Sequence, residues 1–286
     1  MKNTRNKTVF KLIISLCLLL YIFTRIDLNV LRELSFLTGG YLVICLIITL
    51  SSLLLMSFRW KILLKKYTSC KCLLSELFNF YLIGMFFNIF LPGAIGGDIT
   101  RVYNASKKYD ITVKKSTLFV FIERIVGLVS VIIIFCLGSL IISDYYEMIN
   151  YDRSLLFLII VIIVTAIVSL KTYLEKKIDI DYKLITIIFL LSILGQFGDI
   201  LIVRLFCYNF SLPVTIYHIM VIMPLVYISS IIPISFGGLG VREGTMAVLF
   251  SFIGIDSSIA VMISLLLYFV KVGVGAIGGV IYGTLK

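Results

Sequence analysis

A chain of 286 residues that is 60% hydrophobic and only 14% charged, with a mean hydropathy of +1.12, is far more apolar than a soluble domain, in which roughly half the residues are apolar. Its net charge of +11 falls in short clusters between apolar runs, which argues against nucleic acid and for loops beside an anionic cytoplasmic leaflet. The short alternating segments of a membrane β-barrel are missing, so the class is all-α: a polytopic transmembrane helix bundle, one integral membrane domain over residues 1–286.

Val9 to Ile26 reads as a first, uncleaved span. Lys2, Arg5, Lys7 and Lys11 flank it, no small-residue cleavage site follows, and the positive flank places the N-terminus in the cytoplasm. Tyr41 to Phe58 predicts a second span ending on Arg59-Trp60-Lys61, an aromatic and basic interface anchor, with a short interfacial helix over Lys61 to Lys71. Leu77 to Leu91, about 22 Å long as a helix, falls short of a hydrocarbon core of roughly 30 Å and stops at Pro92-Gly93. The basic residues after it (Arg101, Lys107, Lys108, Lys114, Lys115) put both flanks in the cytoplasm, which predicts a re-entrant hairpin.

A long helix follows from Ser116 to Ile142, and its acidic exit (Asp144, Glu147, Asp152) suits the outer face. Leu155 to Leu170 returns to a basic stretch, and Leu184 to Phe206 goes out again carrying Gln196, Asp199 and Arg204. Val214 to Ile232 predicts a further full span, while Thr245 to Gly254 is too short to cross and reads as the returning half of a broken helix. The last helix, Ser258 to Leu285, carries Lys271 and a glycine face at Gly275, Gly279 and Gly283 for close packing. The sum is about seven full spans plus two re-entrant or broken segments in the inner, cytoplasmic cell membrane.

One internal repeat stands out: Pro92 to Arg101 and Pro233 to Arg242 both read P-x-x-x-G-G-x-x-x-R, and they use two of only four prolines. The halves are approximately 1–142 and 155–286. Four crossings between the copies would make the repeat parallel; if one broken segment crosses, it becomes inverted. Asp98 has no counterpart, since Leu239 stands in its place.

Glycine pairs at a helix break let backbone come close and leave N–H groups and the positive dipole end free, which suits an anion and above all a phosphate. Gly96, Gly97, Gly237 and Gly238 would shape the two breaks, and Arg101 and Arg242 would fork onto phosphate oxygens. Asp98, Glu123, Arg124, Glu243 and Lys271 would complete a polar path; charges at membrane depth cost roughly 2.5–3.5 kcal/mol each and so need partners or a wet cavity. The structural alternative is a set of ion pairs, such as Asp199 with Lys271 or Glu123 with Arg101.

Four of six cysteines sit in apolar runs, while Cys70 and Cys72 fall in a basic loop expected to face the reducing cytosol. His218 is the sole histidine and no Cys/His ligand spacing occurs, so neither metal nor cofactor is expected. Nucleophile elbows and phosphate-binding glycine loops of enzymes are also missing.

The set Leu91-Pro92-Gly93, Gly96-Gly97-Asp98, Arg101, Glu123-Arg124-Ile125-Val126-Gly127 and Gly237-Gly238-Leu239-Gly240-Val241-Arg242-Glu243-Gly244 resembles the lysylphosphatidylglycerol synthase transmembrane-region family of flippase-like membrane proteins. That resemblance implies a bundle that moves an aminoacylated lipid between leaflets, with relatives in glycolipid and envelope polysaccharide pathways whose enzymes would be its partners. With 286 residues there is no room for the aminoacyl-transferase domain of the bifunctional relatives, so synthase activity is not expected. The resulting expectation is a protein that binds and translocates a phosphate-bearing lipid, whether anionic, aminoacylated or polyprenyl-phosphate-linked. Two alternatives stand beside it: a membrane aminoacyl- or glycosyl-transferase using Asp98, Glu123 or Glu243 as base, and a scaffold of an envelope complex using the glycine face.

Overall fold

The structure, a computed structural model, describes residues 39–68, 70–90, 95–142, 182–231 and 239–284. The predicted spans Val9 to Ile26 and Leu155 to Leu170, and Pro92, Gly93, Pro233, Gly237 and Gly238 of the motifs, lie outside the described residues. Those described form eight helices and no strand: α1 Gly39–Tyr67, α2 Leu74–Phe90, α3 Ile95–Tyr109, α4 Val113–Ile141, α5 Tyr182–Asn209, α6 Ile216–Ile231, α7 Val241–Ser251 and α8 Ser257–Thr284.

Helices α1, α4, α5 and α8, of 28 or 29 residues, are long and apolar enough to cross a membrane. Helix α2 has 17 residues and α6 has 16, so at 1.5 Å per residue both are about 24–26 Å long and fall short of a bilayer core. Over Val214 to Ile232, expected as a full span, the described helix covers Ile216–Ile231 and carries Pro224 inside it. Length therefore runs long, short, short, long in α1–α4 and again in α5–α8.

Each pair of short helices folds back on itself. In α2/α3 the open end is clamped by Glu76, which takes Lys108 Nζ at 2.7 Å and the Tyr109 hydroxyl at 2.6 Å. The Lys108 ammonium first, then Tyr109, hold the Glu76 carboxyl below the usual carboxylate range. Near the tip the Gly97 N–H donates to Asn88 Oδ1 at 2.6 Å. A Cβ at Gly97 would meet the Gly84 carbonyl oxygen at 2.6 Å, so only glycine permits this crossing. In α6/α7 the Thr245 hydroxyl donates to Ser229 Oγ at 3.0 Å.

Small residues also set how the long helices meet. Helix α1 lies antiparallel to α5, with Arg59 opposite Ser192, Met56 opposite Gly195 and Ser52 opposite Gly198. Helix α8 presses Gly275, Gly278 and Gly279 onto α2, and α4 presses Gly138 onto Met220 of α6. Exchanging α1–α4 for α5–α8 turns each of these packings into another that also exists: α2/α8 becomes α6/α4, α3/α4 becomes α7/α8, α1/α8 becomes α5/α4, and α1/α5 becomes itself.

The expected interface anchor at Arg59-Trp60 is instead core. Helix α1 continues to Tyr67 rather than ending at Phe58, so the predicted interfacial helix is its last turns, and residues 59 and 60 stay inside the bundle. Trp60 is fully buried, edge-on to Tyr81 with ring centroids 5.9 Å apart. Cys70 and Cys72, read as two loop cysteines in a reducing compartment, are joined in a disulfide; their Cα atoms lie 5.6 Å apart, within bridging reach.

Candidate functional site

Between α1, the α2/α3 hairpin, α4, α5 and α6 lies a cavity of about 400 Å³, in the size range of small-ligand pockets. Helix α3 brings Asp98 and Arg101, its fourth and seventh residues, to the cavity on one face, three apart. Helix α4 brings Glu123 and Arg124, α1 brings Arg59, and α2 brings Tyr81 and Asn88. Gln196 and Tyr227 reach it from α5 and α6.

Glu123, with 2% of its surface exposed, organises the charges. Its carboxylate accepts from Arg59 Nε at 3.1 Å, from the Tyr81 hydroxyl at 3.0 Å, and from Arg101 Nη2. Arg59 is held further by Ser192 Oγ at 2.9 Å. The Arg101 guanidinium carbon lies 3.7 Å from the Tyr81 ring centroid and 4.4 Å from that of Trp60, a cation–π contact with each of two rings that are edge-on to one another. Asp98 takes Arg124 Nε at 2.7 Å and lies 3.5 Å from Arg101 Nη1. Two donors of the cluster are left over: Arg101 Nε and Trp60 Nε1 are buried with no hydrogen-bond partner. An unpaired buried donor of a charged group is costly, so such groups in proteins normally have a partner.

Arg242 and Glu243 form a second cluster that does not line the cavity. Glu243 Oε2 accepts from the Gly240 N–H at 2.6 Å and Oε1 from Arg242 Nη2 at 2.6 Å, while Arg242 Nε donates to Ser264 Oγ at 3.1 Å. Gly240, at φ 86°, makes the turn that delivers this N–H. Lys271 belongs to a third cluster, bonded to Asp199, which also accepts from the Tyr227 hydroxyl. Tyr227 links this cluster to the cavity wall.

Of the predicted site residues, Gly97, Asp98, Arg101, Glu123 and Arg124 therefore share one cavity, Gly96 is buried beside them on α3, Arg242 and Glu243 sit together elsewhere, and Lys271 lies behind Tyr227. Both ion pairs suggested by the sequence, Glu123 with Arg101 and Asp199 with Lys271, are formed. Sequence reasoning missed Arg59, Tyr81, Asn88 and Ser264. Arg59 carried a signal, an arginine closing an apolar run, but the signal pointed to an interface. The described residues bring together no group of three His, Cys, Asp or Glu side chains suited to a metal.

Long apolar helices around buried, mutually paired charges and a polar cavity define a multi-pass helical membrane protein. The model of the family described as lysylphosphatidylglycerol synthase TM region matches residues 8–178 and 175–279, and the chain belongs to that family. Membership places it among membrane proteins of lipid-related envelope biosynthesis. Among curated proteins, none matches the chain at a significant level.

Proposed function

We propose that the cavity beside Arg101 receives the head group of a phosphate-bearing lipid and that the protein carries such lipids between the leaflets of the cytoplasmic membrane. The observation that carries this reading is Arg101: a buried guanidinium within 4.4 Å of two aromatic ring centroids, on a residue that lines the cavity. A phosphate oxygen in the cavity would be held by such a guanidinium with a charge-assisted hydrogen bond. The transferase alternative needs a carboxylate free to act as base, yet Asp98, Glu123 and Glu243 each hold an arginine. The scaffold alternative leaned on the glycine face, and Gly275 and Gly279 are spent against α2 within the same chain.

The two motif copies are best read as an inverted pair. With α6 too short to cross, three crossings rather than four separate the motifs: α4, the predicted span Leu155 to Leu170, and α5. An odd number turns the second hairpin upside down. The antiparallel α1/α5 contact supports the same arrangement, because a two-fold that exchanges antiparallel helices lies across them, in the membrane plane. On this reading the α2/α3 hairpin dips in from the cytoplasm and α6/α7 from the outer face, and the count becomes six spans in all plus two hairpins.

The test is Arg101→Gln in proteoliposomes. Transfer of a fluorescent anionic phospholipid between leaflets should fall at least tenfold, while the variant elutes as a single folded species in detergent. Undiminished transfer would remove the proposal.

A further inference from the structure

The ion pairs of the three clusters are of two kinds. Glu123 is held by Arg59 and Arg101, Asp98 by Arg101 and Arg124, and Glu243 by Arg242. A guanidinium does not give up its proton in a protein. In the pair of Asp199 with Lys271, by contrast, both partners can exchange one. A single oxygen, Asp199 Oδ2, accepts from Lys271 Nζ and from the Tyr227 hydroxyl, and so ties α5 to both α6 and α8. Lys271 stands near the middle of α8, with Nζ 5.7 Å from the ring centroid of Tyr227, a residue that lines the cavity. The Lys271 and Asp199 side chains keep 27% and 17% of their surface exposed, so the pair is not sealed off. Ionisable pairs at membrane depth are costly and mark ion and proton paths.

Resting on the reading that the cavity carries an anionic lipid head group between leaflets, we infer that Asp199 and Lys271 form the site of a coupling proton, one proton travelling with each negative charge. A proton from water turns the Asp199 carboxylate into a neutral acid, and on the far side it returns to water; no other covalent bond changes. While it is bound, Lys271 loses its counter-ion and Tyr227 its charged acceptor, so the tie between α5, α6 and α8 slackens. An ammonium left unpaired inside a bundle is disfavoured, and a phosphate in the cavity that Tyr227 lines offsets it. Proton and anion therefore favour each other's binding, as linkage requires in both directions, and no net charge crosses. The charged groups on the neighbouring elements have other partners. Arg242 of α7, which acts on Tyr227 electrostatically, is bonded to Glu243 and lies 4.9 Å from the Tyr268 ring of α8. Arg59 of α1 and Glu123 of α4 hold each other, and Arg124 holds Asp98. Arg204, on α5 itself, is a guanidinium and keeps its proton.

The purified full chain is reconstituted in vesicles with a trace of fluorescent phosphatidylglycerol, the membrane potential is clamped at zero, and a pH difference of one unit is imposed. One proton per lipid should concentrate the probe about tenfold in the leaflet facing the more alkaline side, whatever the rate of transfer. In weakly buffered detergent, adding phosphatidylglycerol should draw about one proton per lipid bound out of solution. Asp199→Asn combined with Lys271→Met removes both charges together and leaves neither unpaired; this variant should take up no proton and hold the probe equally in both leaflets. An equal distribution in wild-type vesicles that do transfer the probe overturns the inference while leaving the head-group reading intact. Proton uptake or a tenfold asymmetry that persists in the double variant overturns the assignment of the site. No transfer by the wild-type protein overturns both readings.

Discussion

Glu123 has to hold two guanidiniums at once, and that makes it the residue on which the site's stability turns. Replacing it by Gln keeps an acceptor oxygen but leaves Arg59 and Arg101 as two like charges in a buried cluster. Breaking a buried ion pair on one side costs about 3–5 kcal/mol, so Glu123→Gln should lower the thermal unfolding midpoint in detergent by several degrees. Asp98→Asn removes a carboxylate that is 20% exposed and faces the half-exposed Arg124, and pairs in that setting are worth about 0–1 kcal/mol. Its unfolding midpoint should stay close to that of the parent protein, even though both changes touch the same cavity. The pairing of Glu123 with Arg101 was legible in the sequence because a charge at membrane depth demands a partner. Arg59 as the third member was not, because its place at the end of an apolar run matches an interface anchor equally well, and only the position of α4 tells the two apart.

At the scale of elements, hydropathy located the long helices closely, except that α1 runs on past Phe58 to Tyr67, since 18 or more apolar positions in a row leave little choice of structure. Glycine spacing was half legible: Gly275 and Gly279 do meet α2, but the tightest contact is Gly278, and Gly283 meets nothing within 4 Å. A face read as every fourth residue drifts around a helix of 3.6 residues per turn, so the partner's position, not the spacing, selects which glycines count. A Cβ at Gly278 would lie 2.0 Å from the Leu82 carbonyl oxygen, a backbone atom. Gly278→Ala should therefore destabilise by about 1–3 kcal/mol through overpacking. At Gly283, where there is space, the same change should be neutral or slightly stabilising, because alanine is the better helix former by up to about 1 kcal/mol. Paired thermal melts of the two variants measure the difference.

At the scale of the whole molecule, the motif pair announced two related halves, but their relative orientation depended on whether one helix crosses, and charge counting cannot see that. The packing supports the proposed inverted arrangement, because the exchange of α1–α4 with α5–α8 preserves the helix contacts while α1 lies antiparallel to α5. An inverted pair puts the open ends of the two hairpins on opposite faces of the membrane. Lys108, half exposed, marks the open end of α2/α3, and Ser251, exposed at the end of α7, marks that of α6/α7. With the native cysteines replaced, Lys108→Cys in intact cells should resist a membrane-impermeant maleimide until the membrane is opened, whereas Ser251→Cys should react at once. Labelling of both from the same side would make the repeat parallel and would remove the two-leaflet reading of the hairpins, whatever lipid the cavity holds. If the sides do differ, Arg101 and Arg242 become corresponding groups serving opposite leaflets. Among the described residues, Arg101 lines the cavity of about 400 Å³, while Arg242 is closed on Glu243 and Ser264.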